Sequence, residues 1–458
     1  MKKRSLQVFR RPANYLFIIL NTFAFSLFAQ TIQSICRPEI GHFYKQQYNG
    51  YDQNWGIDQD RNTKFIYVAN SKGLLEYDGS NWEEYDLPEK QKIRSLAVDS
   101  SGRIFTGALG EFGYWAPEKS GKLTYHSLKN LISDSKFSEE EVWNIVPTPS
   151  GMLFQSFAYI YLYSHNEVKK LQSPGSMLFA REVNNQIYIP IIGIGVFKLN
   201  NEKFELLKGT EILANESVNT ILPHKNGGII IGTDKKIYAY QKEVLTEFNI
   251  TTNIFTNQNH LNRGIVLSNG KYAFGTILNG LIITNDEGDI LFHLNQNSGL
   301  QNNTILSFAK GIDGDLWIGL DKGIDLLKIN APILHFNDYP GTIGTVYDAA
   351  IFNQKLYLGT NHGVFYTFLN GKNADFKIVP ETQGQAWDLE LIDNQLLCGH
   401  NKGTFLIEND IATLISNVTG GWTLRKLKLH PDHLIQGTYT NLIIYKKDTR
   451  GKWCFSHL

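Results

Sequence analysis

One phrase recurs along this chain about every forty residues, and nothing else in the sequence restricts its fold as strongly. "DGDLWIGLDKGIDLLKINAPI" runs from Asp313 to Ile333, "KLYLGTNHGVFYTFLNG" begins at Lys355 and "GIIIGTDKKIYAYQKEV" at Gly228. With the second anchor of the Gly-x-x-x-Gly turn as a ruler, copies fall at Gly73, Gly113, Ile160, Gly195, Lys236, Gly280, Gly323, Gly363, Gly403 and Asn441. The steps are 40, 47, 35, 41, 44, 43, 40, 40 and 38 residues. Ten copies of that period predict an array of four-stranded propeller blades.

The pattern inside each copy has a physical reading. Alternation of apolar and polar residues, as in "DLWIG" and "KLYLG", has the period of a half-buried strand. A turn rich in Gly or Asx precedes it ("DSSG" at Asp99, "KNGG" at Lys225), and a further apolar run lies before that turn. A third run follows the anchor, and a fourth ("NWEEYDL", "KFELLKG") closes the unit. Glycine at the anchor supplies positive φ or close backbone approach. The third copy, "LFQSFAYIYLY", lacks the glycines, so its turn needs another construction. Helical periodicity is nearly absent, with "NLISDSKFSEEEV" from Asn130 the one weak candidate, expected as an insertion between the second and third blades. One small sheet cannot bury its own faces, whereas radial stacking and ring closure can.

The bulk numbers exclude several classes. Apolar residues make up 42% and charged residues 19%, which fits a folded chain and not a disordered one. Lys plus Arg and Asp plus Glu are 44 each, so no net charge points to nucleic acid or an acidic membrane. Cys36, Cys398 and Cys454 have neither metal-ligand nor disulfide-framework spacing. Neither a cofactor nor a metal is expected. The start is different: basic "MKKRSLQVFRR", apolar "NYLFIILNTFAFSLFA" and small Ala29 predict a secretory signal peptide over residues 1–29.

"N-x-I-x-x-x-x-x-x-x-D-G-x-L-W-I-G", from Asn303 to Gly319, resembles the two-component-regulator propeller repeat, which builds periplasmic sensor regions of Bacteroidetes-type regulators. "GLDKGIDLLKINAPI" and "GTVYDAAIFNQKLYLGTNHGVF" resemble the subgroup whose complete members add a triple-tyrosine module, a membrane helix and a LuxR-type helix-turn-helix output domain. The resemblance covers residues 40 to 457. It implies an all-β chain in which seven repeats make one propeller, residues 40–331, and three repeats begin a second, residues 332–458. Pro332 in "INAPI" marks the break, because proline cannot donate into a ladder. The chain stops at "GKWCFSHL", a tail too short to cap the last repeat, without the further modules. A truncated product or fragment is therefore expected. The membrane would be reached only through a downstream segment, and DNA binding does not carry over. A homodimer is among the expected associations.

Catalytic motifs are missing from the sequence: there is no HExxH, GxSxG, Walker A or CxxC. "DGDLW" at Asp313 resembles the Asp-box turn of sialidases, but an aspartate capping a blade hairpin accounts for it. One column is chemically mixed. Counting 12 or 13 residues back from the first anchor, and 14 in the first copy, gives Trp55, Ser95, Trp143, Phe179, Thr220, Arg263, Ser307, Tyr347, Trp387 and Arg425. These residues are expected to ring one mouth of the channel. The aromatics and arginines among them (Trp55, Trp143, Phe179, Arg263, Tyr347, Trp387, Arg425) form the candidate binding set for a small molecule or oligosaccharide: aromatic faces stack on sugars, and arginine grips carboxylate. The expected function is non-enzymatic ligand sensing in the periplasm. A propeller glycoside hydrolase or lyase, with two carboxylates about 5–9 Å apart in the channel mouth, and a protein–protein scaffold are the alternatives.

Overall fold

Ten four-stranded antiparallel sheets account for nearly all regular structure in the computed structural model, which describes residues 36–133, 135–338, 341–369 and 375–457. The expected signal peptide, residues 1–29, lies outside them. No helix among the described residues is long and apolar enough to cross a membrane. The chain divides into two compact units, Pro38–Leu334 and His335–Leu458, the latter together with Cys36 and Arg37. The fold is all-β and of the β-propeller type.

In the 38–334 unit, six sheets are built from four consecutive strands each, spanning residues 54–85, 95–127, 144–172, 181–206, 218–247 and 261–294. The seventh takes three strands from residues 305–327 and its fourth from the other end of the unit, Ile40–Phe43. That strand pairs antiparallel with Ile324–Leu327 in the register Ile40↔Leu327 to Phe43↔Ile324. The sequence pattern did not foretell this clasp; it shows only that no fourth apolar run precedes "INAPI".

Apolar side chains from neighbouring sheets fill each junction. Tyr67, Ala69 and Leu74 of the first sheet meet Ile104, Ala108 and Trp115 of the second. The junction between the seventh and first sheets is filled likewise, by Ala309, Trp317 and Ile324 against Ile57, Val68 and Leu75. Phe43 of the clasp strand stacks 5.3 Å from Trp317 and meets the rings of Tyr77 and Trp82 edge-on at 5.1 and 5.6 Å. Polar side chains tie the inner strands together. Ser95 Oγ donates to Val142 O (2.8 Å), Asn144 Nδ2 to Ala180 O (2.9 Å), and Ser307 Oγ to Asn54 O (3.0 Å), the last bond joining the seventh sheet to the first.

The 335–458 unit holds three sheets, of residues 346–378, 386–416 and 424–457. The tail does not dangle: Trp453–His457 is the fourth strand of the last sheet, and Trp453 is buried with Leu434, Ile443 and Tyr445.

Local surprises have local causes. "NLISDSKFSEEEV" forms two short 3-10 turns, Lys129–Leu131 and Ser135–Glu139, rather than a helix. A helix does occur at Ile250–Asn259, between the fifth and sixth sheets. It escaped the sequence pattern because its buried face is polar: Thr252, Asn253 and Thr256. Asn249 caps it, accepting from the N–H groups of Thr251 and Thr252, and Asn253 accepts from Ile237 N–H at 2.8 Å. The glycine-free turn of the third copy is closed by Ser156, whose Oγ accepts from the N–H groups of Ala158 and Tyr159. In the first copy Gly73 is required for closeness rather than for its φ, since an added Cβ would sit 2.4 Å from Tyr85 O.

Two outcomes follow from the clasp. Phe43→Ala empties one position of the aromatic cluster and should destabilise the unit by about 2–3 kcal/mol, below the full-core value because Phe43 is half-buried; urea unfolding checks this. His42 Nδ1 bonds Asp325 Oδ1 at 2.7 Å, and this bond raises the His42 pKa above 6.5 although burial opposes it. The stabilisation from His42 is therefore complete below about pH 6.5 and disappears as pH rises through the raised value. Unfolding free energy should fall on going from pH 6 to 8.5 (roughly the range that spans the transition), and His42→Asn should remove that part of the slope.

Candidate functional site

The first strand of each sheet in the 38–334 unit contributes to the wall of a cavity of about 460 Å³. Its position follows from the sheet order, in which the first strand is the innermost. A recurrent irregularity shapes the rim. Register shifts occur between Asn54 and Gly56, Val218 and Thr220, Leu261 and Arg263, and Ile305 and Ser307, leaving Trp55, Asn219, Asn262 and Leu306 as the extra residues of β-bulges. The same shift recurs in the second unit at Tyr347 and Trp387.

This irregularity corrects the counted column, which mixes two adjacent strand positions. Trp55, Tyr347 and Trp387 are bulge residues, whereas Arg263 and Ser307 are the paired residues after the bulge. The column also divides between the two units. Trp55, Ser95, Trp143, Phe179, Arg263 and Ser307 line the cavity, while Tyr347, Trp387 and Arg425 belong to the 335–458 unit. The hydroxyls of Ser95 and Ser307 are engaged in the bonds between sheets given above, so their role is structural.

On one side of the cavity, Trp55 and Trp143 lie 6.0 Å apart at 80°. Arg94, one residue before the counted Ser95 and outside the expected set, covers both rings at 4.4 and 4.7 Å from their centroids. Its Nε donates to Glu141 Oε1 at 2.7 Å, and Trp55 Nε1 donates to Ser71 Oγ at 2.9 Å. Phe157, at an exposed turn tip, extends the cluster at 5.7 Å from Trp143.

On another side, Phe179 carries the Arg263 guanidinium 4.3 Å above its ring and that of Arg181 at 5.9 Å. Arg181 was also outside the expected set, since it lies two residues past the counted position. Burial lowers the pKa of both arginines, and for Arg263 the charge of Arg181 lowers it further. Both remain cations at neutral pH. Glu182 is the one carboxylate among the described residues of the wall.

In the second unit, Trp387 stacks on Trp422 at 4.8 Å and 13°, with Tyr347 4.7 Å from Trp387 on the preceding sheet. Arg425 pairs with Glu390 and donates to Leu424 O at 2.8 Å. Trp422 has no counterpart in the counted column because it precedes the strand Leu424–Lys426.

Arg94 should hold the two indoles in place. Arg94→Met removes two cation–π contacts and a partly buried ion pair, and should cost about 1–2 kcal/mol. It should also alter tryptophan fluorescence, to which Trp55 and Trp143 contribute two of the eight indoles.

No protein-family model and no curated protein matches the sequence. Solved structures do match in fold. The extracellular domain assigned to the hybrid two-component system BT3049 of B. thetaiotaomicron aligns at TM-score 0.66 and 16% identity, over 92% of this chain and 60% of that one. The corresponding domain of the one-component system BT4673 of the same organism aligns at TM-score 0.52 and 15% identity, over 92% and 61%. A streptogramin B lyase aligns at TM-score 0.50 and 16% identity, over 65% of this chain and 98% of the lyase. The chain thus spans about three fifths of the two regulator domains. It has the β-propeller fold shared with these extracellular regulator domains.

Proposed function

We propose that this chain is the ligand-sensing part of a membrane-associated signalling or transcription regulator, working outside the cytoplasm. It binds a small molecule or oligosaccharide in the channel of the 38–334 unit and does not transform it. The observation that carries this reading is the channel wall: one cavity bordered by every sheet of the unit, with aromatic rings and guanidinium groups where a purely structural core would be aliphatic. The fold shared with extracellular regulator domains supports the same reading.

In this account residues 40–331 form one closed ring of seven repeats, and residues 332–458 are three repeats of a second propeller. The division between the compact units, at Leu334 and His335, is compatible with that organisation. Two-carboxylate hydrolysis needs a pair of acidic groups facing one site. The wall offers Glu182, and the nearby Glu141 is engaged by Arg94. For this reason sensing is preferred to turnover.

Two measurements bear on the proposal. Mass spectrometry of the protein exported by a bacterial host should find the mature N-terminus after Ala29; retention of residues 1–20 would contradict export by cleavage. Thermal-shift and calorimetric screening of the full chain against oligosaccharides should find a ligand whose binding depends on Trp143 and Arg263. Arg263→Ala should weaken it by roughly 2–5 kcal/mol as a lost charge contact, and Trp143→Ala by about 1 kcal/mol or more as a lost stacking face. Unchanged affinity in both variants would place the site elsewhere.

A further inference from the structure

We propose that Arg181 and Arg263 form a carboxylate-binding site inside the channel, so that the molecule sensed is an organic acid with a flat apolar face rather than a neutral compound. The proposal rests on the reading of the channel as a ligand site and adds the ligand's chemistry.

Arg94 is paired with Glu141, Arg103 with Asp99 and Arg425 with Glu390. Arg181 and Arg263 differ. Their hydrogen bonds go to neutral acceptors: Arg181 Nη1 to Asn144 Oδ1 (3.2 Å) and Ala180 O (3.1 Å), Arg263 Nε to Leu306 O (2.8 Å) and Nη1 to Asn262 O (3.1 Å). Among the described residues no carboxylate acts on either guanidinium, and the one charge felt by Arg263 is the like charge of Arg181. Glu182, which also lines the cavity, follows Arg181 on the same strand but does not act on its guanidinium. Its carboxylate accepts from the Asn185 N–H of the adjoining turn.

Two cations partly withdrawn from water, mutually repelling and without a counter-ion, are costly unless an anion completes them. The bonds to Leu306, Asn262, Asn144 and Ala180 fix the two guanidinium groups in advance. Each guanidinium carries five N–H groups, so unused donors remain on both. A carboxylate matches that fork geometry better than any neutral group. Phe179, beneath both arginines, offers an apolar surface for the body of the ligand. The cavity of about 460 Å³ accommodates a molecule of monosaccharide or small aromatic-acid size.

The test is isothermal titration of the full chain with three probes: D-galacturonate, D-galactose and benzoate. At least one of the two acids should bind, D-galactose should bind more weakly than D-galacturonate, and added sodium chloride should weaken the acid. Arg181→Gln and Arg263→Gln should each reduce binding of that acid by roughly 30-fold or more. Arg263→Lys, which keeps the charge but loses the fork, should fall between wild type and Arg263→Gln. Thermal melting of each variant without ligand separates loss of the site from loss of the fold, and the salt dependence of the wild type needs no variant. Benzoate binding through both arginines without D-galacturonate would support the carboxylate site and count against a sugar ligand. D-galactose binding equal to D-galacturonate and indifferent to both variants would keep the channel as a sugar site and overturn this proposal. Failure of both acids to bind the wild type would overturn it as well.

Discussion

The pairing of Ile40–Phe43 with Ile324–Leu327 is the contact on which the 38–334 unit depends. A four-stranded sheet has two apolar faces and open edges, so a row of such sheets is stable only when each face meets another. The clasp strand joins the two ends of the unit within one sheet, and it carries Phe43 into the aromatic cluster between the seventh and first sheets. The bond from Ser307 Oγ to Asn54 O and the packing of Trp317 against the first sheet belong to the same junction. Asp325 reinforces it from within the seventh sheet. It is buried, takes His42 on one oxygen together with Gln301 Nε2, and accepts the Gln301 N–H on the other.

This junction holds the inner strands of the seventh and first sheets together, and with them part of the cavity wall. In the first, fifth, sixth and seventh sheets a bulge at the second residue of the inner strand turns one side chain away from the regular pleat. Where that residue is Asn219 or Asn262, its amide donates to the next sheet, to Leu261 O or Ile305 O. In the first sheet the bulge residue is Trp55, which joins Arg94 and Trp143 in a packed cluster. The same structural device therefore serves cohesion in part of the unit and creates a chemically distinctive wall in another part.

Much of the architecture was legible because a buried hairpin imposes a strict local code. Apolar alternation, a turn and a glycine or hydroxyl anchor recur wherever two inner strands meet, so the repeat and its period showed in the sequence. The clasp was not legible, since a four-residue strand carries no period and its partner lies far along the chain (Phe43 against Ile324, 324 − 43 = 281 positions). The helix Ile250–Asn259 was hidden by a polar buried face. In the candidate site, Trp55, Trp143, Phe179 and Arg263 were found by counting along the strand. Arg94 and Arg181 were missed because they stand one residue before Ser95 and two residues after Phe179, and a count that takes one residue per sheet passes over such neighbours.

The central claim is that the two ends of the unit are held in one sheet and thereby make the channel wall a fixed surface. Hydrogen–deuterium exchange read by mass spectrometry tests it directly at the amides of residues 40–43 and 324–327. The account predicts protection in both segments comparable with the inner strand Leu316–Leu320, lost together from the two partners as the unit opens. Exchange of residues 40–43 at the rate of an exposed loop, with 316–320 still protected, would contradict it.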